Sequence, residues 1–169
     1  DCNPMIELRC ISTSRSIKVA RFSLDWMDEA VEHAQRMNAA QQNVYMCINP
    51  IDGEKAKNIG AGKAAKDTDI VAAFFNFADA DTDGAMQNIL SFAGPKFTMS
   101  VKTGTQPFVR GHAYWQLEEP VFNLDAWRQV QVNIAGVLNT DRVVVNPSRI
   151  MRVRSTKARS FATGWRFAG

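Results

Sequence analysis

Val71-Ala-Ala-Phe-Phe-Asn-Phe-Ala78 runs without a break into Asp79-Ala-Asp81-Thr-Asp83-Gly84. Two adjacent Phe, a third Phe and no helical polar stripe predict a buried strand over 71–78 that ends by presenting carboxylates two residues apart. Strand alternation puts Asp79 and Asp81 on one side, close enough to share a hard divalent cation. Three readings are open. The acids form a calcium loop, or a catalytic magnesium or manganese site, or a solvated turn that caps a helix beginning near Asp83. The calcium-binding reading stays open but lacks two features. An EF-hand needs a bidentate Glu at its twelfth position, which counted from Asp79 is Leu90, and it needs a helix before the loop rather than this Phe-rich run.

Length and composition narrow the field. The 169 residues fit one domain with a sizeable core, and no stretch approaches the ~20 uncharged apolar residues of a membrane span. Asp1-Cys-Asn-Pro-Met5 lacks the basic region and apolar core of a secretory signal, so the expectation is a cytoplasmic protein. Cys2, Cys10 and Cys47 are an odd set without a Cys-x-x-Cys spacing, which points to reduced thiols and away from a cysteine zinc site. Net charge is +3, but it is unevenly spread: after Asp141 come Arg142, Arg149, Arg152, Arg154, Lys157, Arg159 and Arg166 with no Asp or Glu. That tail is a candidate contact for a polyanion, or a solvated basic face.

Working outward from the acidic strand, residues 5–11 and 17–22 read as strands around a Ser/Thr-rich turn. Asp25 is the expected cap of a helix to about Ala39, with Met27, Ala30, Val31, Ala34 and Met37 as its apolar face and His33 at the surface. Asn43 to Ile48 is β-rich and is stopped by Asn49-Pro50, which opens a polar loop to about Asp67. Gly60-Ala-Gly62-Lys63 in that loop is not a phosphate-binding P-loop: Lys57 stands where the first Gly belongs and Ala64 where Ser or Thr belongs. Lys55, Lys57, Lys63 and Lys66 still make the loop basic.

Downstream, Met86, Ile89, Leu90 and Phe92 give a helix from about Asp83 to Ala93, ended by Gly94-Pro95. Residues 97–102 and 109–117 read as a strand pair, closed by Glu118-Glu119-Pro120, with His112, Tyr114 and Gln116 on the more polar face. Asn123 caps a helix to about Leu138 with Leu124, Trp127, Ile134, Val137 and Leu138 as core. Asp141 then precedes a predicted β run, Arg142-Val-Val-Val145.

The ordered set resembles the primase-polymerase catalytic domain of the archaeo-eukaryotic primase superfamily, as found in plasmid and phage replication proteins. Asn43-Val-Tyr45-Met-Cys-Ile-Asn49-Pro50 is similar to the strand preceding the catalytic core, and residues 71–81 to the strand ending in paired acids. Thr103-Gly104 through Arg110-Gly-His112-Ala-Tyr-Trp115-Gln-Leu117 resembles the nucleotide-binding hairpin, and Asp141 with Asn146-Pro-Ser148-Arg149-Ile-Met-Arg152 the third acidic motif and its arginine signature. The resemblance implies an α/β (α+β) fold: a mostly antiparallel sheet with flanking helices around an RRM-like core, the site lying across one sheet face.

It further implies a single catalytic domain over 1–169, cut from a longer replication protein of a bacterial or phage-infected cell. The implied activity is a DNA-directed nucleotidyltransferase making primers. Asp79, Asp81 and Asp141 are its implied catalytic Mg2+ or Mn2+ ligands, with Asp141 on the strand after the last long helix. His112, Arg110, Lys102 and Arg149 are the nucleotide-binding residues, and Arg152, Arg154, Lys157 and Arg159 the nucleic-acid contacts. The implied partners are a single-stranded DNA template, NTP or dNTP, and a replicative helicase domain or protein. Two departures stand out: Asn146 occupies a place where some relatives have an acid, and Arg154-Ser-Thr-Lys-Ala158 replaces a Pro-Gly-Thr turn. From the residues alone, the rival reading is a noncatalytic nucleic-acid-binding module on the same scaffold.

Overall fold

The computed structural model describes residues 3–153. Alternating apolar residues form strand β1 (Met5–Ile11), and β2 (Ile17–Ser23) returns antiparallel to it, with Met5 opposite Ser23 and Ile11 opposite Ile17. Ser12 closes the turn: its carbonyl accepts from the Arg15 amide and its hydroxyl from the Ser16 amide, while Arg15 takes a positive φ of 64°. Ile6, Leu8 and Cys10 pack against Ala30 and Ala34 of helix α1 (Met27–Ala39), small residues that allow close approach. Glu7, Arg9 and Ile11 therefore take the other face.

The cap of this helical segment is Ser23 rather than Asp25. The Ser23 hydroxyl accepts from the Asp25 amide and starts a 3₁₀ turn, Leu24–Trp26, ahead of α1. His33 is half-buried against the Phe22 ring, 5.5 Å between centroids, rather than at the surface.

Strand β3 (Asn43–Cys47) pairs with β1. The stretch to Asp67, expected as a loop, holds a short helix, α2 (Gly53–Asn58), capped by the Asp52 carboxylate on the Glu54 and Lys55 amides. Its basic far end is fastened to the first sheet. Buried Glu7 accepts from the Ala65 amide, and Arg9 and Arg21 pair with Glu7 while donating to the Ala65 and Lys63 carbonyls. A buried carboxylate with two guanidinium partners and a backbone donor is a satisfied one, so its burial is tolerated.

A second sheet holds β4 (Ala73–Ala80), β5 (Met99–Gly104) and β6 (Arg110–Val121) in the order β4-β6-β5, all antiparallel. Strand β6 continues past Glu118-Glu119-Pro120 to pair Val121 with Ala73 across a register shift, the kind of place where a proline without an N–H fits a strand. Between β4 and β5, helix α3 (Ala85–Ser91) starts after Gly84 at φ 77°, two residues beyond Asp83. Because a strand, β4, leads into the acids and carries the first of them, Asp79, the helix that an EF-hand needs is absent at this position, which corrects the calcium-loop alternative.

Helix α4 (Leu124–Leu138) is capped by the Asn123 side chain on the Ala126 amide. Its buried face is Trp127, Gln131, Ala135 and Leu138; Val137, expected in the core, is 70% exposed. Residues 142–145 form no strand, and Val143 is 74% exposed. The short strand β7 (Ile150–Arg152) pairs with β3 and completes a first sheet ordered β2-β1-β3-β7. The expected single sheet is thus two antiparallel sheets.

The row Ala73, Phe75 and Phe77 on β4, with Tyr114 on β6, packs on Ile48, Met151, Trp127 and Val144. Small residues on the opposite face, Ala78, Ala80 and Ala113, admit Ala85 and Ile89 of α3 and Leu138 of α4. Each buried Phe contributes about 1.5–3 kcal/mol, so this row anchors β4 firmly. Among the described residues no helix is long and apolar enough to cross a membrane.

Candidate active site

On β4 the apolar row is Ala73, Phe75, Phe77, and the next residue in the same row is Asp79. The side chain that follows the core is a carboxylate at the mouth of the space between the two sheets. A cleft of about 500 Å³ opens there, lined by Asp79, Asp81, Arg110, His112, Arg149 and Arg152, with Tyr45 and Ile11 among its other walls. The site therefore lies between two sheets rather than across one sheet face.

Asp141 arrives by a different route. Strand β4 is the end strand of its sheet, and α4 runs along its free edge. The Trp127 indole donates to the Phe75 carbonyl at 3.1 Å, and the Gln131 amide bonds both the Phe77 amide and the Phe77 carbonyl at 3.0 Å. Just past the helix, the Asp141 amide donates to the Asp79 carbonyl at 3.1 Å. Side chains of α4 act as a surrogate strand for residues 75 and 77, and the chain itself takes over at 79. The Asp141 carboxylate also accepts from the Val143 amide at 2.8 Å, which turns the chain back. Asp141 sits in this turn after α4, not on a strand as the sequence suggested.

One carboxylate oxygen from each of Asp79, Asp81 and Asp141 lies within 4.8 Å of the other two. Asp79 and Asp141 are half-buried and Asp81 is exposed. Burial first, and then the charges of Asp81 and Asp141, push the Asp79 carboxyl up to about 6, with Arg149 opposing them. Three converging carboxylates offer all-oxygen ligands, and that donor set fits Mg2+ or Mn2+.

His112 stands directly across the β4–β6 ladder from Asp79, and its Nε2 is 3.5 Å from Asp79 Oδ1. Burial, reinforced by Arg152 and Arg149, pulls the imidazole down to about 4, so the ring is neutral and the contact is not an ion pair. Its Nδ1 lies 3.2 Å from the Tyr114 hydroxyl. Burial, and then Asp79, raise the Tyr114 phenol far above its usual range, so it keeps its proton. With Nε2 facing the Asp79 carboxylate oxygen, an acceptor, the neutral ring carries its hydrogen on Nε2, and Nδ1 accepts from the Tyr114 hydroxyl.

The other sequence candidates divide. Arg149 and Arg110 line the cleft. The Arg110 guanidinium lies over Gly104, where an added Cβ would come within 2.7 Å of Nη2. Lys102 does not join them: it pairs with Gly111 on the face opposite His112, and Thr103 lines the cleft in its place. Arg152, expected as a nucleic-acid contact, is in the cleft, with its guanidinium bonded to the Tyr45 hydroxyl at 3.2 Å. Arg154, Lys157 and Arg159 lie outside the described residues, as does Cys2.

Sequence reasoning missed Tyr45, Tyr114 and Gln131 as site-building residues. The i, i+2 spacing of His112 and Tyr114 on one strand was a usable signal. Gln131 inside an apolar stripe was a weaker one.

No protein-family model and no curated protein matches the sequence. Among solved structures the chain is similar to the archaeo-eukaryotic primase domain of the cyanophage S-2L primase-polymerase, at TM-score 0.60 and 20% identity over 90% of this chain and 74% of that one. It is similar also to the primase RepB′, at TM-score 0.58 and 14% identity over 89% of this chain and 44% of that one. A third likeness is to the catalytic domain of RepB′ in complex with initiator DNA, at TM-score 0.58 and 12% identity over 89% and 68%. The fold is therefore that of archaeo-eukaryotic primase catalytic domains, a mixed α/β architecture of antiparallel sheets and flanking helices. The chain spans less than half the length of the longer RepB′ chain.

Proposed function

We propose that this chain is a template-dependent nucleotidyltransferase domain of the primase-polymerase kind, acting in phage or plasmid replication as one domain of a longer protein. The observation that carries the reading is the convergence of Asp79, Asp81 and Asp141, from two separate parts of the chain, beside a neutral, oriented His112 on a primase-like fold. Asp79, Asp81 and Asp141 would hold Mg2+ or Mn2+. When bound, such ions stabilise the charge that builds up on the phosphates during in-line displacement.

The protein's own residues supply the rest. His112 offers its Nε2–H as a donor to a phosphate oxygen, and Tyr114 keeps that hydrogen facing the cleft. Arg149 and Arg110 supply fixed positive charge and forked donors that match a triphosphate. Neutral His112 beside these guanidiniums avoids stacking a further cation in the cleft before substrate arrives. Contacts to a single-stranded DNA template are sequence-independent and salt-sensitive, with Arg152 and the basic residues Arg154, Lys157 and Arg159 as contributors. NTP or dNTP is the co-substrate, and a replicative helicase domain is a natural neighbour in the parent protein.

The test is incorporation of labelled nucleotide on a single-stranded template with Mg2+ or Mn2+. Asp79→Ala with Asp81→Ala should abolish incorporation while template binding persists. Wild-type protein that binds template but neither starts nor extends a chain with either metal would make it a noncatalytic nucleic-acid-binding module.

A further inference from the structure

We propose that Asp67 is a positioning residue that fixes Arg149 at the nucleotide cleft through a clamp on residues 146–149. The inference rests on reading the cleft as a triphosphate site. Asp67 lies in a 3₁₀ turn, Asp67–Asp69, some eighty residues before the segment it holds. Its Oδ1 accepts from the Ser148 hydroxyl at 2.6 Å, the Ser148 amide at 3.1 Å and the Asn146 side-chain amide at 3.2 Å. Its Oδ2 accepts from Arg128 of α4 at 2.8 Å. Both oxygens are engaged, and neither faces the cleft acids.

A second hold acts on the same segment. Fully buried Asn49 donates to the Pro147 carbonyl at 3.2 Å while accepting from the Phe74 amide at 3.0 Å, which ties the segment to the start of β4. The Ile48 amide donates to the Arg149 carbonyl at 3.1 Å. Four successive residues, Asn146 to Arg149, are thus all tied down, Asn146 and Ser148 by Asp67 and Pro147 and Arg149 by the adjacent Asn49 and Ile48. Residues 146–149 form neither helix nor strand, so these bonds set their conformation. The next side chain, Arg149, lines the cleft with Asp79, Asp81 and His112, and its charge opposes theirs at Asp79 and at His112 adds to the pull toward neutrality.

Asn146 is explained by the same geometry. It faces Asp67 rather than the carboxylate cluster, and a second acid there would oppose Asp67 instead of donating to it.

A residue that only stabilised the fold would weaken every function in proportion to unfolding. A residue acting through Arg149 has no effect once Arg149 is gone. The experiment is a double-mutant cycle read by binding of inorganic triphosphate in the presence of Mg2+, with folding checked by circular dichroism and thermal melting. Asp67→Ala should weaken triphosphate binding about tenfold, as Arg149→Ala does, the scale of one charge-assisted contact. Adding Asp67→Ala to Arg149→Ala should weaken it by less than about twofold more.

Asp67→Asn keeps an acceptor for Ser148 and should restore most of the affinity. Should Asp67→Ala fail to fold, Ser148→Ala, which removes the 2.6 Å bond to Asp67 and the 3.2 Å bond the hydroxyl accepts from Asn146, should lower affinity in the same direction, an effect that should vanish in the Arg149→Ala background. Independent effects in the double variant, or unchanged affinity in folded Asp67→Ala and Ser148→Ala, would overturn the proposal, as would a wild type that binds no triphosphate. Wild-type protein that binds triphosphate but never incorporates nucleotide refutes the polymerase reading and leaves the clamp to be judged by its own cycle.

Discussion

Replacing Gln131 with Leu should both destabilise the fold and loosen the metal site. Gln131 is 1% exposed and its amide bonds the Phe77 amide and carbonyl on the open edge of β4, both at 3.0 Å. Leucine fills similar space but leaves one backbone donor and one acceptor buried without partners. Each such group costs about 1–3 kcal/mol, so the expected loss is about 2–5 kcal/mol after local relaxation. The same bonds set the register of α4 along β4. With them gone, the α4–β4 edge keeps only the Trp127 bond to the Phe75 carbonyl and the Asp141 amide bond to the Asp79 carbonyl to place the third carboxylate.

Urea unfolding measures the first effect, and Mn2+ titration of the folded variant the second, where affinity should fall about tenfold. Val137→Ala is the control: it lies on the same helix, is 70% exposed, and should change stability by no more than about 0.5 kcal/mol. A loss below about 1 kcal/mol for Gln131→Leu would refute the edge-capping argument. Unchanged Mn2+ affinity despite a large loss of stability would refute the register argument while sparing the packing one.

The crowded carboxylates make a sign prediction. Asp79 has its pKa raised to about 6, so in chelator its charge opposes folding, and stability should fall as pH rises from about 4 through 6. Asp79→Asn should then stabilise the metal-free protein at pH 8 by about 1–2 kcal/mol in thermal or urea unfolding, and Mn2+ should stabilise wild type more than the variant. Tyr114→Phe removes the donor to His112 Nδ1 and frees the ring to take the other tautomer; nucleotide affinity should drop several-fold by equilibrium binding with little change in melting temperature. Gly104→Ala places a Cβ within 2.7 Å of the Arg110 guanidinium, so triphosphate binding should weaken through displaced Arg110 while far-ultraviolet circular dichroism stays unchanged.

Local pattern was enough wherever one element decided the outcome. The short apolar stretches over 5–11 and 17–22, the Asn123 cap and the Phe-rich run before the acids each specify a conformation within a few residues, and the structure shows those elements. Errors came where a longer-range partner overrode local preference. The β propensity of residues 142–145 yields to the turn that Asp141 makes with the Val143 amide, and Pro120 is admitted to β6 by a register shift against β4. Lys102, a nucleotide-binding residue by the resemblance, falls by the pleat behind the sheet.

Within the chain's own text, Asp79 and Asp81 are neighbours in the acid cluster because a strand repeats every two residues, and no fold is needed to bring them together. Asp141 is far along the chain from both, and no periodicity links it to them. Its place depends on α4 lying against the one unpaired edge of β4, an edge that exists only once the second sheet has assembled in the order β4-β6-β5. Asp67 and the segment that carries Arg149 are a more distant case still, joined by hydrogen bonds of the Asp67 carboxylate to Asn146 and Ser148 that leave no pattern in the sequence. Short-range stereochemistry wrote the pair of acids; backbone hydrogen bonds left over from a sheet edge, which burial obliges the molecule to satisfy, brought the third one to meet them.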